Sequence, residues 1–182
     1  MDSYDLVVPE EFNTRKIPRA NYIQDIAKVV AETNGDTGLV ITGLDNTLQR
    51  YNFMFQNFQQ QRNALCSSLP ELLMTQAALK QLQSMGDLPE GSFFHYELSA
   101  GVYAKAKIMD RSKVALFLGS RTMVEYTIDE ALKVLEDNTK ECKDQINDLE
   151  RNLEFLKEQI TTSEVSISRV FNWDVMEHRT VK

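Results

Sequence analysis

Histidine, cysteine and tryptophan are almost missing from this chain, which carries two, two and one of them among its 182 residues. His95 and His178 stand far apart, so neither a histidine-assisted nucleophile nor a histidine metal site is expected. Cys66 and Cys142 are too few and too separated for a disulfide framework or a metal knuckle, and reduced thiols are the default expectation. Basic charge is also short: 20 Lys and Arg face 27 Asp and Glu, leaving a net charge of -7. That balance is a poor match for a phosphate backbone, so nucleic acid is not an expected partner. No apolar run approaches the length that spans a bilayer, and Met1 to Glu10 lacks the basic flank and apolar core of a secretion signal. A soluble, cytoplasmic protein with no membrane partner is the expectation. Glycine gives no nucleotide site. Gly86 to Gly91 has the spacing of a phosphate loop without its Lys, and Gly35, Gly38 and Gly43 do not form a dinucleotide fingerprint. Acidic runs such as Asp148 to Glu158 read as solvated helix faces. Together these absences argue against an enzyme and imply no cofactor and no metal.

What the sequence has is period. Leu44, Tyr51, Phe58, Leu65, Leu72 and Leu79 recur every seventh position, and Leu48, Phe55, Leu69 and Leu82 widen the stripe. This predicts a helix over 44–86, started by a weak capping box at Thr42 to Asp45 and stopped by Gly86 and Pro89. Pro70 lies inside it and predicts a bend near Ser67 rather than a break. A second stripe runs through Ile128, Leu132, Leu135, Cys142, Ile146, Leu149, Leu153, Leu156, Ile160, Ile167 and Val170 in alternating steps of four and three. Thr139 and Ser163 interrupt it. It predicts a coiled-coil helix over 128–176, opened by the capping box Thr127-Ile128-Asp129-Glu130. Glu136 with Lys140, and Glu154 with Lys157, are spaced to pair along its outer face. Each helix exceeds 40 residues, a rod of roughly 65 Å at the α-helical rise. Their matched lengths suggest that they fold back on each other.

Between them the period changes to two. Phe94, Tyr96 and Leu98 alternate with polar residues, as do Val102, Ala104, Ala106 and Ile108 beyond the turn at Ser99-Ala100-Gly101. Val114 to Leu118 is apolar on both faces, and Gly119-Ser120-Arg121 turns the chain into Thr122 to Thr127. Two β-hairpins over 92–127 are expected, with edges and an apolar face that a lone monomer would expose. The assembly candidates are therefore Phe94, Tyr96, Leu98 and Val102 on the first hairpin, and Val114, Leu116, Phe117, Leu118, Val124 and Tyr126 on the second. Residues 1–43 read as an amino-terminal extension and linker, in which Ile17 to Val30 has the apolar content for a short helix, and residues 177–182 read as a tail. The fold class is mostly α with small β: a long antiparallel coiled-coil hairpin with two β-hairpins at one end.

The local sequence resembles an α-class prefoldin subunit. The most specific stretch is Thr161-Thr162-Ser163-Glu164-Val165 leading into Arg169-Val170-Phe171-Asn172-Trp173-Asp174-Val175. Similar too are Lys113-Val114 through Leu118-Gly119, Met123-Val124-Glu125-Tyr126 with Asp129-Glu130-Ala131, and Ile17-Pro18-Arg19-Ala20 with Asp25-Ile26. The resemblance covers residues 17–176 and leaves 1–16 and 31–41 without a role. It implies a hexamer of two α-class and four β-class subunits, in which this chain meets five other prefoldin subunits. It further implies a chaperone that captures unfolded actin and tubulin without ATP and passes them to the cytosolic chaperonin.

The residues themselves suggest where gripping would occur. Antiparallel folding sets Leu44 to Phe58 beside Phe155 to Trp173, at the end farthest from the strands. Tyr51, Phe53, Phe55, Phe155, Val170, Phe171 and Trp173 are the client-binding candidates, since aromatic surface supplies contact area without demanding one geometry. The same heptad count makes Tyr51 and Phe55 seam residues, sends Phe53 and Phe155 outward, and allows Trp173 to staple the helix ends or dock Ile17 to Val30. A structural coiled-coil adaptor, recruiting partners through its hairpins, is the alternative function.

Overall fold

A computed structural model describes residues 7–12, 15–84, 93–107 and 112–180. In chain order the elements are β1 (Val7–Phe12), β2 (Pro18–Ala20), α1 (Ile26–Glu32), α2 (Thr37–Ser84), β3 (Phe94–Ser99), β4 (Val102–Ala106), β5 (Lys113–Gly119), β6 (Thr122–Thr127) and α3 (Ile128–Thr180). The chain divides into two compact units, each containing part of both long helices. The first takes in the chain up to Ala64 and from Gln145 onward, and the second runs from Leu65 to Asp144.

Within the second unit the two helices run antiparallel. Gln83 Nε2 donates to Asp129 Oδ1 at 2.8 Å, Gln76 Nε2 to Glu136 Oε1 at 3.2 Å, and Cys142 Sγ to the Leu65 carbonyl at 3.7 Å. The helical heptads meet as expected: Leu79, Ala131 and Leu135 are buried together, with Leu72 and Leu132 packed around them. Cys142 is buried and Cys66 exposed, and both are free thiols. Glu136 departs from expectation. Its partner is Lys80 across the seam at 3.5 Å rather than Lys140 one turn along, because the seam brings the second helix's side chains within reach.

The strands of this unit form two antiparallel hairpins, β3 with β4 and β5 with β6. Gly101 at φ 79° turns the first; Gly119, Ser120 and Arg121 at φ 90°, 49° and 62° turn the second. Ser and Arg tolerate that left-handed geometry at a cost that glycine would avoid, but two positive-φ residues match the right-handed twist of a hairpin. Thr127 then opens α3 with the expected reciprocal cap. The Glu130 N–H donates to Thr127 Oγ1 at 3.4 Å, and the Thr127 N–H and hydroxyl donate to Glu130 Oε2 at 3.1 and 2.8 Å. These bonds hold the Glu130 carboxyl below the usual carboxylate range, so the cap is strongest at neutral pH and weakens as acid protonates it.

Within the first unit α2 begins at Thr37, not Leu44. The cap is Asp36, whose Oδ1 accepts the Leu39 N–H at 3.2 Å, while Thr42, the expected cap, is interior and its hydroxyl donates to the Gly38 carbonyl. The linker expected over 31–41 is thus replaced by the end of α1, a tight corner at Thr33 to Asp36 and the first turn of α2. Asn34 at φ 57° and Gly35 at φ 82° make the corner, and the Gly35 N–H closes it on the Val30 carbonyl at 2.9 Å. Pro70 sits inside α2 without ending it, as the unbroken heptad through it implied. The helix α3 continues past 176 to Thr180. Gly86, Pro89 and Ile108 lie outside the described residues.

Leu149 is 2% exposed in the seam of the first unit. Its replacement by alanine leaves a cavity, and Leu149→Ala is expected to destabilise the folded chain by about 2–5 kcal/mol. Chemical denaturation reads this, and a loss below about 0.5 kcal/mol would contradict a packed seam at that position.

Candidate functional site

In the first unit a third layer covers the two-helix seam. Residues 15–30, strand β2 and helix α1 among them, lie along α2 and α3 and give up four apolar side chains to the interior: Ile17, Ala20, Ile23 and Val30 are all buried. Ile17 and Ala20 form one cluster with Tyr51 and Leu156, fringed by Phe55, Phe58, Phe155 and Ile160. Ile23 and Val30 form another with Val40, Leu44 and Val170, fringed by Ile167 and Trp173. Both clusters pair early α2 with late α3, the antiparallel arrangement expected of the heptads.

The polar contacts of this strap are as specific as its apolar ones. The Tyr51 hydroxyl donates to the Pro18 carbonyl at 3.0 Å. The Ala20 N–H donates to Gln159 Oε1 at 2.9 Å, and Gln159 Nε2 donates to the Phe155 carbonyl at 3.1 Å, so this buried amide is satisfied at both ends. The Arg169 guanidinium donates to the carbonyls of Ile23 and Gln24 at 2.8 and 3.3 Å and lies 4.9 Å from the centre of the Tyr22 ring. Arg15 reaches Asp148 at 2.8 Å and stacks 5.1 Å over Phe58. Beyond the strap, Thr37 donates to Asp174 Oδ1. That bond gives a role to Asp174, where the apolar seam stops.

This geometry sorts the client-binding candidates. Tyr51 and Val170 are 1% and 0% exposed and cannot offer their side chains to a partner while the strap is in place. Phe55 and Phe155 are half-buried in the Tyr51 cluster, which corrects the outward placement of Phe155: the heptad count omitted a third layer against which that face of α3 packs. Trp173 is half-buried against the Val170 cluster, to which both the amino-terminal segment (Ile23, Val30) and the opposing helix (Val40, Leu44) contribute. Phe53 and Phe171 remain exposed, at 67% and 57%, and Met176, Leu39 and Tyr22 join them on the surface of this unit.

The assembly candidates divide in the same way. Val114, Leu116 and Tyr126 pack against the helical core of their own chain around Leu79 and Leu135, and Val124 pairs with Leu116 in register. These half-buried side chains help seat the hairpin on its own helices, since alternation turns one face of β5 and β6 inward. The other face carries Phe117 opposite Met123, both exposed. On the first hairpin Tyr96, Leu98 and Val102 are exposed, and Phe94 is half-buried.

Sequence reasoning missed Gln159, Asn152 and Arg169, and missed the pairing of β1 with β2. A signal for the first two was present, since Asn152, Gln159 and Ser166 also recur every seventh position, and all three are buried. A polar heptad beside an apolar one marks a helix with two covered faces. Among the described residues no helix is long and apolar enough to cross a membrane, and no group of His, Cys, Asp and Glu could hold a metal ion.

Comparison with known proteins decides the family. The family model described as prefoldin subunit matches residues 51–173. The chain belongs to the prefoldin family. Prefoldin subunit 3 of Mus musculus is 35% identical over 160 residues, which cover 87% of this chain and 82% of that protein. Prefoldin subunit 3 of Saccharomyces cerevisiae is 31% identical, covering 94% of this chain and 90% of its own length, and that of Drosophila melanogaster is 31% identical with 98% and 92% covered. A filamentous prefoldin from Methanocaldococcus jannaschii, solved by cryo-EM, shares the fold at a TM-score of 0.54 and 22% identity, covering 64% of this chain and 94% of that one. The prefoldin family is a chaperone family, and this chain carries its coiled-coil helices and small antiparallel strand pairs. The family match begins at Tyr51, so the strap lies outside it.

Burial pushes the Tyr51 phenol up to about 12 from its ordinary 10. A raised folded-state value means that the stabilisation is complete below about pH 10 and is lost as pH rises toward 12. Tyr51→Phe should flatten that alkaline loss in thermal melts, while the lost bond to Pro18 costs about 1–2 kcal/mol at neutral pH. A variant whose alkaline melting curve overlays that of the parent would remove Tyr51 as the titrating group.

Proposed function

We propose that this chain is one subunit of a hexamer of two α-class and four β-class prefoldin subunits. In this reading the hexamer captures unfolded or nascent proteins, actin and tubulin among them, in the cytosol and transfers them to the cytosolic chaperonin without using ATP. The observation that carries the reading is the amount of large apolar surface left exposed in each unit. On the hairpins Tyr96, Leu98, Phe117 and Met123 are exposed. Strand edges and apolar faces of this kind are covered in soluble proteins by further chains, which supports assembly with five other subunits through β3 to β6. On the first unit Phe53, Phe171 and Met176 are exposed. Aromatic and methionine side chains fit many partners weakly, and several such sites around one client raise its retention through effective concentration.

The deciding measurement is suppression of aggregation of chemically unfolded actin by the assembled complex in the absence of nucleotide. Phe53→Ser combined with Phe171→Ser should weaken that suppression several-fold while the hexamer still elutes intact. Phe117→Asp should do the reverse, releasing a subunit that no longer joins the complex in light scattering. A wild-type hexamer that forms normally and protects no unfolded client would instead favour a coiled-coil adaptor.

A further inference from the structure

Beside the Arg15 ion pair with Asp148, three side chains of the long helices hold the strap by its main chain. Tyr51 takes the Pro18 carbonyl, Gln159 the Ala20 N–H, and Arg169 the carbonyls of Ile23 and Gln24. Those three side chains, from α2 and α3, would make the same bonds to any polypeptide laid along the same path, because every residue but proline offers an N–H and every residue a carbonyl. The side-chain requirement is equally loose. Ile17, Ala20 and Ile23 are buried at every third position, while Tyr22 and Gln24 between and beyond them are exposed. The groove beneath is apolar and aromatic, lined by Tyr51, Phe55, Phe155, Leu156 and Ile160. Backbone bonds for affinity and spaced apolar sockets for side chains are how extended peptides are recognised without a fixed sequence.

We propose that this groove is a binding site for an extended, unfolded polypeptide segment with a small or aliphatic residue at every third position, and that residues 15–30 are its internal occupant, which such a segment displaces. The inference deepens the chaperone reading and rests on it for the identity of the occupant. It assigns Gln159 and Arg169, which lie among the polar residues of α3, as the groups that hold the incoming backbone. It also turns Tyr51 from a permanently covered residue into a conditionally exposed one and uncovers more of the half-buried Phe155. Strap and client then compete, and the apparent affinity for the client falls in proportion to the fraction of time the groove is free.

Two measurements on the assembled complex test this. The first uses a fluorophore-labelled synthetic peptide with the sequence of residues 15–30, and complexes carrying either the parent chain or Ile17→Asp with Ile23→Asp, changes confined to the strap. Anisotropy should show the peptide binding at least about tenfold more tightly to the released complex, as for a groove covered nine-tenths of the time, and unlabelled unfolded actin should displace it. Equal binding to both complexes, or peptide that actin does not displace, overturns the proposal. The second needs no variant. Hydrogen exchange of the parent complex should show the Ala20 amide and its neighbours losing protection when unfolded actin is bound; retained protection with actin bound overturns the proposal. If the complex holds no actin at all, the chaperone reading fails instead, and the released complex's affinity for the labelled peptide alone still decides whether the groove takes an extended segment.

Discussion

The packing of apolar side chains spaced seven residues apart, between α2 and α3, is the constraint on which everything else in this chain depends. Leu44, Tyr51 and Leu79 from one helix and Leu135, Leu149, Leu156 and Val170 from the other are buried. Isolated helices of this composition gain little from propensity or from exposed ion pairs, each of which contributes a fraction of a kcal/mol. Seam burial contributes about 1.5–3 kcal/mol for each large side chain. That difference in scale explains why Glu136 can exchange an expected partner on its own helix for Lys80 without consequence, and why a proline inside α2 is tolerated. One lost backbone bond at Pro70 is outweighed by the seam residues on either side of it.

The seam also tolerates polar residues, on terms that the structure makes explicit. Ser163 is buried with its hydroxyl donating to the Gln159 carbonyl at 2.9 Å, and Asn152 donates to the Asp148 carbonyl at 2.6 Å. Both return a hydrogen bond to their own helix, whereas the buried hydroxyls of Thr139 and Ser166 find no hydrogen-bond partner. Gln159 reaches outward to the strap. A buried amide that needs both a donor and an acceptor partner fixes the position of whatever covers it, because sliding the strap by one residue would present Gln159 with a carbonyl in place of an N–H.

Periodicity made the helices legible. Heptads counted from Leu44 and from Ile128 placed the long helices, the change to period two placed the hairpins, and Thr127 with Glu130 placed the start of α3. Two things were hidden because both depend on residues outside the heptad stripe. The start of α2 at Thr37 rests on the Asp36 cap and the corner before it, the inward turn of Phe155 on residues 15–30 lying over the first unit, and a pattern count on one helix registers only the partner it assumes. A helix with two neighbours has a wider covered face than a two-stranded seam, and the polar row Asn152, Gln159 and Ser166 was the trace of the second neighbour. The inner and outer faces of β5 and β6 were hidden differently. Val114 to Leu118 is apolar on both sides, so alternation could not say which side seats on Leu79 and Leu135 and which carries Phe117 outward.

The strap's own energetics follow from the same scales. Ile17, Ile23 and Val30 each gain about 1.5–3 kcal/mol on full burial, while ordering a stretch of chain costs about 1–2 kcal/mol per residue. Because only every third residue from Ile17 to Ile23 is buried, apolar burial alone does not offset the ordering of this stretch, and the backbone bonds from Tyr51, Gln159 and Arg169 add to it. A segment held on such terms differs from the helices under it, where every turn contributes a seam residue. In the proposed reading it yields to a chain that offers comparable side chains at higher local concentration. Unfolded polypeptide is rich in segments of that kind, whereas native proteins keep theirs buried, so the same weak balance that makes the strap displaceable also makes the groove selective for what has not yet folded.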